Sequence, residues 1–348
     1  ADRRTSWYTG ARHIKEKCVD KNAKISLPAK VARILNTLGE HGYEAYAVGG
    51  CVRDSLLGRT PQDWDITTSA RPEQVKALFR HTIDTGIQHG TVTVMLEHEG
   101  FEVTTYRIDG EYEDARHPKE VAFTANLLED LKRRDFTINA MAYNEVTGLV
   151  DAFDGIGDLE RGVIRCVGNA MERFSEDALR MLRAVRFAAQ LGFSIEQETQ
   201  EAIAGLAGNI KKVSAERIQV ELVKLLTSPN PGELKVAYRT GLTAVFLPEF
   251  DVMMETPQNN PHHCCSVGEH TLKAIEAVPA DKVLRLTMLL HDIAKPACRT
   301  ADKKGVDHFY GHPARGSEMA RGILRRLKFD NDTTDRVCRL VHWHDDNP

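Results

Sequence analysis

Apolar residues recur along the first 110 residues with two different periods. Residues 25–41 follow helical spacing and the segment closes at Gly42. Short runs rich in β-branched residues follow, separated by turns and short helical segments. This pattern predicts strands at residues 45–48, 64–67, 91–96 and 101–106, and helices at residues 52–57 and 73–79. The last two strands are separated by His98-Glu99-Gly100, which predicts a hairpin in a small mixed sheet covered by helices.

After about Gly168 the helical period takes over. It predicts helices at residues 170–190, 197–207, 215–226 and 231–240, and a helical region at 267–344 with a polar interruption at 299–305. We therefore expect an N-terminal arm (1–26), an α/β head (27–150), an all-α neck and body (151–255) and an α-helical C-terminal module (256–348). The chain stops at Asn347-Pro348, directly after a dense His/Asp cluster. This position suggests that the last module is truncated there.

Length and composition agree with several domains. The chain has 348 residues, 42% hydrophobic and 28% charged, which is ordinary for a globular protein with real cores. The net charge of −4 does not indicate a nucleic-acid binder, so RNA contact requires a local basic surface. Residues 161–240 carry such a surplus, with 12 Lys and Arg against 9 Asp and Glu. Seven cysteines without a CxxC pair, and the lack of a signal or long apolar run, predict a cytoplasmic protein without membrane association.

Acidic residues in the head carry the main chemical signal. Asp63-Trp64-Asp65 lies on or beside a predicted strand, so Asp63 and Asp65 are expected on one face of it. Paired carboxylates repel unless cations lie between them, and hard oxygen ligands suit Mg²⁺. Glu102, on a second predicted strand, could complete a site for two Mg²⁺ ions about 3.5–4 Å apart. Such ions activate an attacking hydroxyl and neutralise a leaving pyrophosphate.

A glycine pair precedes these acids. Gly49-Gly50, followed by Arg53 and Asp54, predicts a strand–turn–helix in which the backbone approaches a triphosphate and Arg53 pairs with a phosphate. Taken alone, this segment is more typical of a plain strand–turn–helix beside a surface Asp pair. Its combination with the acidic pair and with Glu102 favours the nucleotide site.

Several segments in order resemble one known family. The chain is similar to the class II CCA-adding enzymes and bacterial poly(A) polymerases over about residues 27–226. The similarity continues through Arg133-Arg134-Asp135-Phe136-Thr137-Ile138-Asn139-Ala140, Asp151-Ala152-Phe153-Asp154-Gly155, Ile164-Arg165-Cys166-Val167-Gly168, Glu176-Asp177-Ala178-Leu179-Arg180-Met181-Leu182-Arg183-Ala184-Val185-Arg186-Phe187 and Ser214-Ala215-Glu216-Arg217. The resemblance implies a nucleotidyltransferase (polymerase-beta-like) head. It also implies template-independent addition of CCA to the tRNA 3′ end from CTP and ATP.

One charged stripe is a candidate for base selection. Residues 177, 180, 183 and 186 recur at helical spacing, which is usually typical of a solvated face. An Asp accepts and an Arg donates hydrogen bonds, so Asp177 with Arg180 can imitate a complementary base edge. The resemblance implies this role, and it implies that Arg134, Arg183 and Arg186 hold phosphates or position the nucleotide. It further implies that Asp135 and Asn139 face the ribose.

Two segments bear on which nucleotides are added. Residues 109–131 resemble the family's flexible loop that helps switch selection from C to A. Residues 86–92 resemble CCA-adding enzymes rather than poly(A) polymerases. Addition of A alone, or of poly(A), stays an open alternative because such enzymes share most of these motifs.

Histidines and acids concentrate near the end of the chain. Imidazoles beside carboxylates suit Mn²⁺, Fe²⁺, Ni²⁺ or Zn²⁺ more than Mg²⁺. Residues 290–296 resemble the HD phosphohydrolase superfamily, which implies a helical module holding one or two transition-metal ions. The expected ligands are His270, His291, Asp292, His312, His344 and Asp345. We expect His262, His263 and His342 to be bystanders.

Two other functional classes stay open at this point. The chain could be an HD phosphohydrolase whose head only binds nucleotide or RNA, which the acids at 63, 65 and 102 disfavour. It could also be a small-molecule nucleotidyltransferase, which the segments around Asp177 and Asp135 disfavour. The sequence does not indicate an oligomeric state.

Overall fold

The computed structural model describes residues 24–109, 121–259 and 265–345. The N-terminal arm, most of the loop predicted to switch nucleotide selection, His262, His263 and the last three residues lie outside the described residues.

The head is built on a seven-stranded mixed sheet. Its strand order is β3-β4-β5-β2-β1-β8-β9, with β2 and β5 parallel and the other neighbours antiparallel. The strands are β1 (Ala45–Val48), β2 (Asp65–Thr68), β3 (Thr82–Gly86), β4 (Thr91–Leu96), β5 (Glu99–Thr105), β8 (Met141–Asn144) and β9 (Gly148–Asp151), and a separate ribbon pairs β6 (Arg107–Asp109) with β7 (Val121–Phe123). The head helices are α1 (Ala29–Glu40), α2 (Gly50–Leu56), α3 (Pro72–Leu78), α4 (Leu127–Lys132) and α5 (Gly155–Arg161).

The rest of the described chain is mainly helical, with two short strand pairs. Strands β10 (Val163–Ile164) and β11 (Ser194–Ile195) pair in parallel, and β12 (Thr300–Ala301) and β13 (Asp307–His308) pair antiparallel. The middle helices are α6 (Ala170–Glu176), α7 (Leu179–Leu191), α8 (Gln197–Leu206), α9 (Ala215–Leu226), α10 (Leu234–Arg239), α11 (Thr243–Phe246) and α12 (Pro248–Glu255). The C-terminal helices are α13 (Val267–Ala277), α14 (Lys282–Leu290), α15 (Lys295–Cys298), α16 (His312–Arg326) and α17 (Asn331–Trp343).

The structure corrects four local predictions. The hairpin turn lies at Glu97 and His98, which both have positive φ, so β5 begins at Glu99. A two-residue turn with positive φ at both positions matches the right-handed twist of the flanking strands. Strand β3 was not predicted, because its side chains are largely exposed and lack an apolar pattern. Strand β2 starts at Asp65 rather than residue 64, and the predicted helix 170–190 is broken between α6 and α7.

One apolar core runs through all three predicted units. It includes Val52 and Ile138 in the head, Leu182 in the middle region and Leu286 in the C-terminal module, all nearly inaccessible to solvent. A second core packs α1 and α3 on the sheet. The predicted domain boundaries stay predictions, because burial is continuous across them. No described helix combines the length and apolar character needed to cross a membrane.

Candidate active site and His/Asp cluster

Strand pairing brings two of the three predicted carboxylates together. The parallel pairing of β2 with β5 aligns Ile66 with Val103, so the residues before them, Asp65 and Glu102, occupy neighbouring positions. Asp63 lies before β2 and is exposed, so only Asp65 belongs to the strand, and the expectation that the two Asp side chains share one face stays a prediction. The pairing of strands that are distant in sequence therefore assembles the site.

These acids interact electrostatically across the head surface. Desolvation raises the pKa of Glu102, and the charges of Asp65 and Asp63 raise it further. Desolvation and Asp63 also raise the pKa of Asp65, whereas Arg134 opposes this shift. Bound cations would relieve the mutual repulsion. Among the described residues, sets of three potential ligands with atoms within 4.8 Å of one another occur only in the C-terminal module. The head carboxylates therefore interact electrostatically, but they do not form a set of three whose oxygen atoms all lie within 4.8 Å of one another.

The glycine turn forms the adjoining wall of the site. Gly49 follows β1, has φ +82° and caps α2. A Cβ at Gly49 would lie 3.2 Å from Nη1 of Arg134. Because an L side chain is strained at this φ, glycine is needed for both the turn and the close approach of Arg134.

Arg134 is held by an acid that the sequence analysis missed. Asp130 is fully buried, and its Oδ2 lies 3.5 Å from Nη2 of Arg134 while Oδ1 accepts a hydrogen bond from Arg133 at 2.9 Å. Burial opposes ionisation of Asp130, yet the two arginines lower its pKa. Within the described residues, Nε of Arg134 is buried without a hydrogen-bond partner. Asp130 precedes Arg133 and Arg134 by three and four residues, and this spacing across the end of α4 was the available signal for these contacts.

A buried chain of hydrogen bonds joins four predicted site residues. Nη1 of Arg53 donates to Oδ1 of Asn139 (2.7 Å), and Nδ2 of Asn139 donates to Oδ1 of Asp135 (3.2 Å). Nη2 of Arg183 donates to Oδ2 of Asp135 (2.6 Å). Burial would raise the pKa of Asp135, but Arg183 holds it well below its usual range. Asp135 and Asn139 therefore orient two arginines, and their contact with a ribose stays a prediction.

Asp177 does not belong to the helix that carries Arg180. It ends α6 in an extended conformation (φ −138°), and its Oδ1 accepts a hydrogen bond from the backbone N of Leu179 at 3.0 Å. Its Oδ2 accepts one from Nη2 of Arg217 at 2.7 Å. The prediction that all four charged residues line one helix is therefore wrong for Asp177. Arg217, at the start of α9, thus contacts a predicted site residue, although the sequence analysis assigned it no role.

Arg180 has its own set of partners. Its Nη1 lies 2.6 Å from Oε2 of Glu176, and its Nη2 donates to the backbone carbonyl of Arg133 at 3.1 Å. Asp177 and Arg180 thus lie at the same helix junction, each fixed by a different neighbour.

The next arginines on α7 are not a solvated face. Arg186 is only 6% exposed; its Nε donates to Oε2 of Glu221 at 2.7 Å, and its guanidinium lies 3.6 Å from the ring centroid of Phe187. Arg183 lies 3.6 Å from the other oxygen of Glu221. Glu221 was missed, because its position on α9 gives no local sign of pairing with α7. The predicted phosphate-holding role of Arg186 stays a prediction.

The C-terminal histidines converge on Asp292, which is almost fully buried. The imidazole Nε2 atoms lie near its carboxylate: His291 at 3.2 Å and His270 at 3.7 Å from Oδ2, and His312 at 3.4 Å and His344 at 3.6 Å from Oδ1. Two sets of potential ligands result, one of His270, His291 and Asp292 and the other of Asp292, His312 and His344. Asp292 is shared between them, so the arrangement fits one or two metal ions.

Backbone contacts orient these rings. The Nδ1 atoms of His291, His312 and His344 lie 2.7–2.8 Å from carbonyls three residues earlier. Donation from Nδ1 leaves Nε2 as a lone-pair ligand facing Asp292, as in metal sites. Within the described residues, neither oxygen of Asp292 has a hydrogen bond of acceptable geometry.

The remaining predicted residues differ in their positions. Asp345 is largely exposed, with Oδ2 3.4 Å from Nε2 of His312. The structure brings His344 into the cluster, whereas His342 packs against Trp343 with ring centroids 4.6 Å apart. Lys295 was not predicted; its Nζ lies 2.8 Å from Oδ2 of Asp292.

Three family models match successive parts of the chain. Residues 45–165 match the poly A polymerase head domain, and residues 192–254 match a probable RNA and SrmB-binding site of polymerase A. Residues 262–348 match the HD domain. The order of these matches agrees with the predicted order of head, helical middle region and HD-type module.

Similar proteins carry one recurrent name. The CCA-adding enzyme of Leuconostoc mesenteroides is 54% identical over 207 residues, covering 59% of this chain and 52% of the relative. That of Lactiplantibacillus plantarum is 54% identical over 209 residues, covering 60% of this chain and 50% of the relative. The chain therefore spans about half the length of the curated relatives that it matches.

Solved structures share the fold. The Bacillus stearothermophilus CCA-adding enzyme, in complex with CTP, has a TM-score of 0.66 and 36% identity, covering 89% of this chain and 68% of that chain. The Thermotoga maritima CCA-adding enzyme, complexed with tRNA, has a TM-score of 0.57 and 21% identity, covering 91% of this chain and 79% of that chain.

Proposed function

Because the chain belongs to the CCA-adding enzyme family, we propose that it adds CCA to the 3′ end of tRNA from CTP and ATP without a nucleic-acid template. The observation that carries this proposal is the pairing of β2 with β5, which places Asp65 beside Glu102, with Asp63 electrostatically coupled to both. The Gly49 turn and Arg134 adjoin this acidic surface. An acidic metal site beside phosphate-binding groups suits nucleotidyl transfer.

Two Mg²⁺ ions are proposed at the head. Asp63 and Asp65 would hold them, with Glu102 completing the oxygen-only donor set that Mg²⁺ favours. Bound there, the ions would supply activation of the tRNA 3′ hydroxyl and charge neutralisation on the leaving pyrophosphate. The raised pKa values of Asp65 and Glu102 support this fit, because cations stabilise the ionised carboxylates.

Arginines of the head and of α7 would position the triphosphate. Arg134 adjoins the Gly49 turn and carries a buried Nε without a partner within the described residues. Arg53 and Arg183 are held by the chain through Asn139 and Asp135. Because these guanidiniums are oriented in advance, phosphate binding costs little side-chain entropy.

Selection between bases is proposed at the junction of α6 and α7. Asp177 offers an acceptor and Arg180 offers donors, and a pair of this kind reads a base edge directly. Arg217 holds Asp177 through an ion pair of 2.7 Å. Protein side chains would therefore take the part of the complementary base.

The tRNA is proposed to contact the helical middle region. The match of residues 192–254 to a probable RNA-binding model supports this placement, as does the basic surplus over residues 161–240. A cytoplasmic location stays a prediction from the cysteine pattern.

One assay tests the main proposal and its A-adding alternative. Purified protein is mixed with Mg²⁺ and tRNA ending before CCA, with tRNA ending in CC, and with CTP or ATP separately and together. A CCA-adding enzyme should add two C residues to the tRNA that ends before CCA when CTP is the only nucleotide. It should also add the final A when CTP and ATP are both present. Growth only on the CC-ending substrate with ATP would identify an A-adding enzyme, and untemplated A runs would identify a poly(A) polymerase.

A second activity is proposed for the C-terminal module. Four imidazoles around the shared carboxylate of Asp292 favour a divalent transition metal, Mn²⁺, Fe²⁺, Ni²⁺ or Zn²⁺. His270 and His291 would form one ligand set and His312 and His344 the other, with Asp345 near His312. A metal held there would activate water for hydrolysis of a phosphomonoester or a 2′,3′-cyclic phosphate. Such hydrolysis would suit repair of damaged RNA ends before extension.

A further inference from the structure

A cavity of about 420 Å³ opens beside the His/Asp cluster. Some residues that line the cavity belong to the cluster or contact it, namely Lys295, His312 and Asp345. Other lining residues take no part in the cluster, and these include Gln258, His308 and Tyr310. This volume is in the range of small-molecule sites. The cavity therefore links the candidate metal centre to a separate set of side chains.

An exposed aromatic ring stands at this cavity. Tyr310 is 77% exposed, although its ring stacks on His308 at a centroid distance of 5.3 Å and an interplanar angle of 6°. The tyrosine hydroxyl lies 3.3 Å from Nδ1 of His308, and Nε2 of His308 lies 3.5 Å from Oδ2 of Asp302. The ring is thus supported by the chain while most of its surface faces solvent. Aromatic platforms of this kind stack on nucleobases, since every base has a π face.

A buried hydrogen-bond acceptor lines the same cavity. Gln258 is only 5% exposed, and its Nε2 donates to the carbonyl of Cys265 at 3.5 Å. Within the described residues its Oε1 has no hydrogen-bond partner. A buried acceptor without a partner is unfavourable, so it marks a position where a ligand donor would be stabilising.

A cation adjoins the cavity at the cluster. Nζ of Lys295 lies 2.8 Å from Oδ2 of Asp292 and 5.5 Å from the centroid of Phe309. An ammonium group beside a metal centre favours an anionic ligand such as a phosphate. The cavity thus offers an aromatic face, an acceptor and a cation next to the candidate hydrolytic centre.

We propose that this cavity seats a ribonucleotide, with its base stacked on Tyr310 and its ribose-bound phosphate directed to the His/Asp cluster. Gln258 would accept a hydrogen bond from the nucleoside. The inference rests on the proposed phosphohydrolase function and adds to it a base-stacking position, so the substrate is a nucleotide, either free or at the end of an RNA chain. Tyr310 is then a specificity-determining residue that acts through stacking.

Binding measurements on the full chain test the platform independently of hydrolysis. Adenosine 3′-monophosphate and inorganic phosphate are titrated by calorimetry into the parent protein, Tyr310→Leu and Tyr310→Phe. We expect Tyr310→Leu to weaken nucleotide affinity by about 5- to 150-fold and to leave phosphate affinity within about 2-fold, because stacking is lost. Tyr310→Phe keeps the ring and should bind the nucleotide like the parent. Any nucleotide binding at the head contributes equally to the parent and to both variants, because the substitutions lie in the C-terminal module.

Three results would overturn the proposal. These are parent-like nucleotide binding by Tyr310→Leu, an equal loss of both probes in that variant, and the absence of adenosine 3′-monophosphate binding by the parent. If stacking-dependent binding is found but no phosphate ester is hydrolysed, the phosphohydrolase function fails and the nucleotide site stands. The same titration with a short RNA that ends in a 3′-phosphate shows whether the cavity binds free nucleotides or RNA ends. The natural ligand is the one that binds more tightly in a Tyr310-dependent manner.

Discussion

Arg217 and Asp177, forty residues apart in the chain, form an ion pair in which Nη2 donates to Oδ2 at 2.7 Å. Asp177 also accepts a hydrogen bond from the backbone N of Leu179, so both of its oxygens are engaged. Helix α9 thereby fixes the acid that ends α6. If Asp177 reads bases, its orientation is set by a residue on another helix.

The first prediction concerns this pair. Asp177→Ala should reduce discrimination among nucleotides more than it reduces triphosphate binding, because the proposed phosphate-binding residues, Arg53 and Arg134, are unchanged. A good bidentate base contact is worth about 1–3 kcal/mol of discrimination. Arg217→Met should shift selectivity in the same direction, since it releases the orientation of Asp177.

Competition between CTP, ATP, UTP and GTP during extension measures this effect. Arg239→Met, on α10, is the control for removal of an arginine in the middle region. Unchanged preference for CTP and ATP in Asp177→Ala would assign the helix junction a structural role only.

The second prediction concerns the head carboxylates. Asp63→Ala and Asp65→Ala should each reduce nucleotide addition by about 10³-fold or more, because each loses a proposed Mg²⁺ ligand. Both residues are exposed, so the thermal unfolding midpoint should change little. Single-turnover extension of tRNA measures the activity. Asp84→Ala, which removes an exposed acid of β3 that pairs with Lys76 of α3, is the matched control. Near-normal incorporation by either site variant contradicts the metal assignment.

The third prediction is a pH dependence of stability at Asp135. Its folded-state pKa lies well below that of an unfolded Asp, about 3.9, because Arg183 outweighs the burial penalty. The ionised group therefore contributes stability above about pH 4, and this contribution is lost as the pH falls through the folded pKa. Asp135→Asn, which breaks a buried ion pair, should cost about 3–5 kcal/mol at neutral pH.

Urea unfolding of the parent and Asp135→Asn at pH 7, 5, 4 and 3 gives the comparison. The difference in unfolding free energy should be constant down to about pH 5 and should shrink below pH 4. Asp84→Asn is the control for the same replacement at an exposed acid. A difference that stays constant to pH 3 would contradict a lowered pKa at Asp135.

The fourth prediction separates the two proposed metal centres. His291→Ala combined with Asp292→Ala should remove bound transition metal and any phosphatase activity, because Asp292 belongs to both ligand sets. Nucleotide addition should be preserved, since the proposed head site uses other residues. Elemental analysis of the purified proteins measures the metal. His342→Ala is the matched control, because His342 packs on Trp343 rather than joining the ligand sets. Equal metal content in the double variant and the parent would refute the site.

Local patterns determined much of the secondary structure. Strands β1 and β4 and helix α9 have the predicted bounds, because each is a short apolar or amphipathic run bounded by turn residues. The side-chain chemistry was also readable in sequence: carboxylates in the head, and imidazoles with carboxylates near the end. Residue type alone decides which ions each set favours.

Tertiary structure decided which of these residues meet. Asp65 lies beside Glu102 only because β2 and β5 pair in parallel, and Glu221 reaches Arg186 only because α9 packs on α7. Regular spacing at 177, 180, 183 and 186 did not show that the chain leaves the helix at Asp177. Periodicity reports which face of one element is buried, whereas ion pairs across distant elements depend on strand register and helix packing. The sequence therefore determined the elements and their chemistry, and the packing of α6, α7 and α9 decided which charges are buried in pairs.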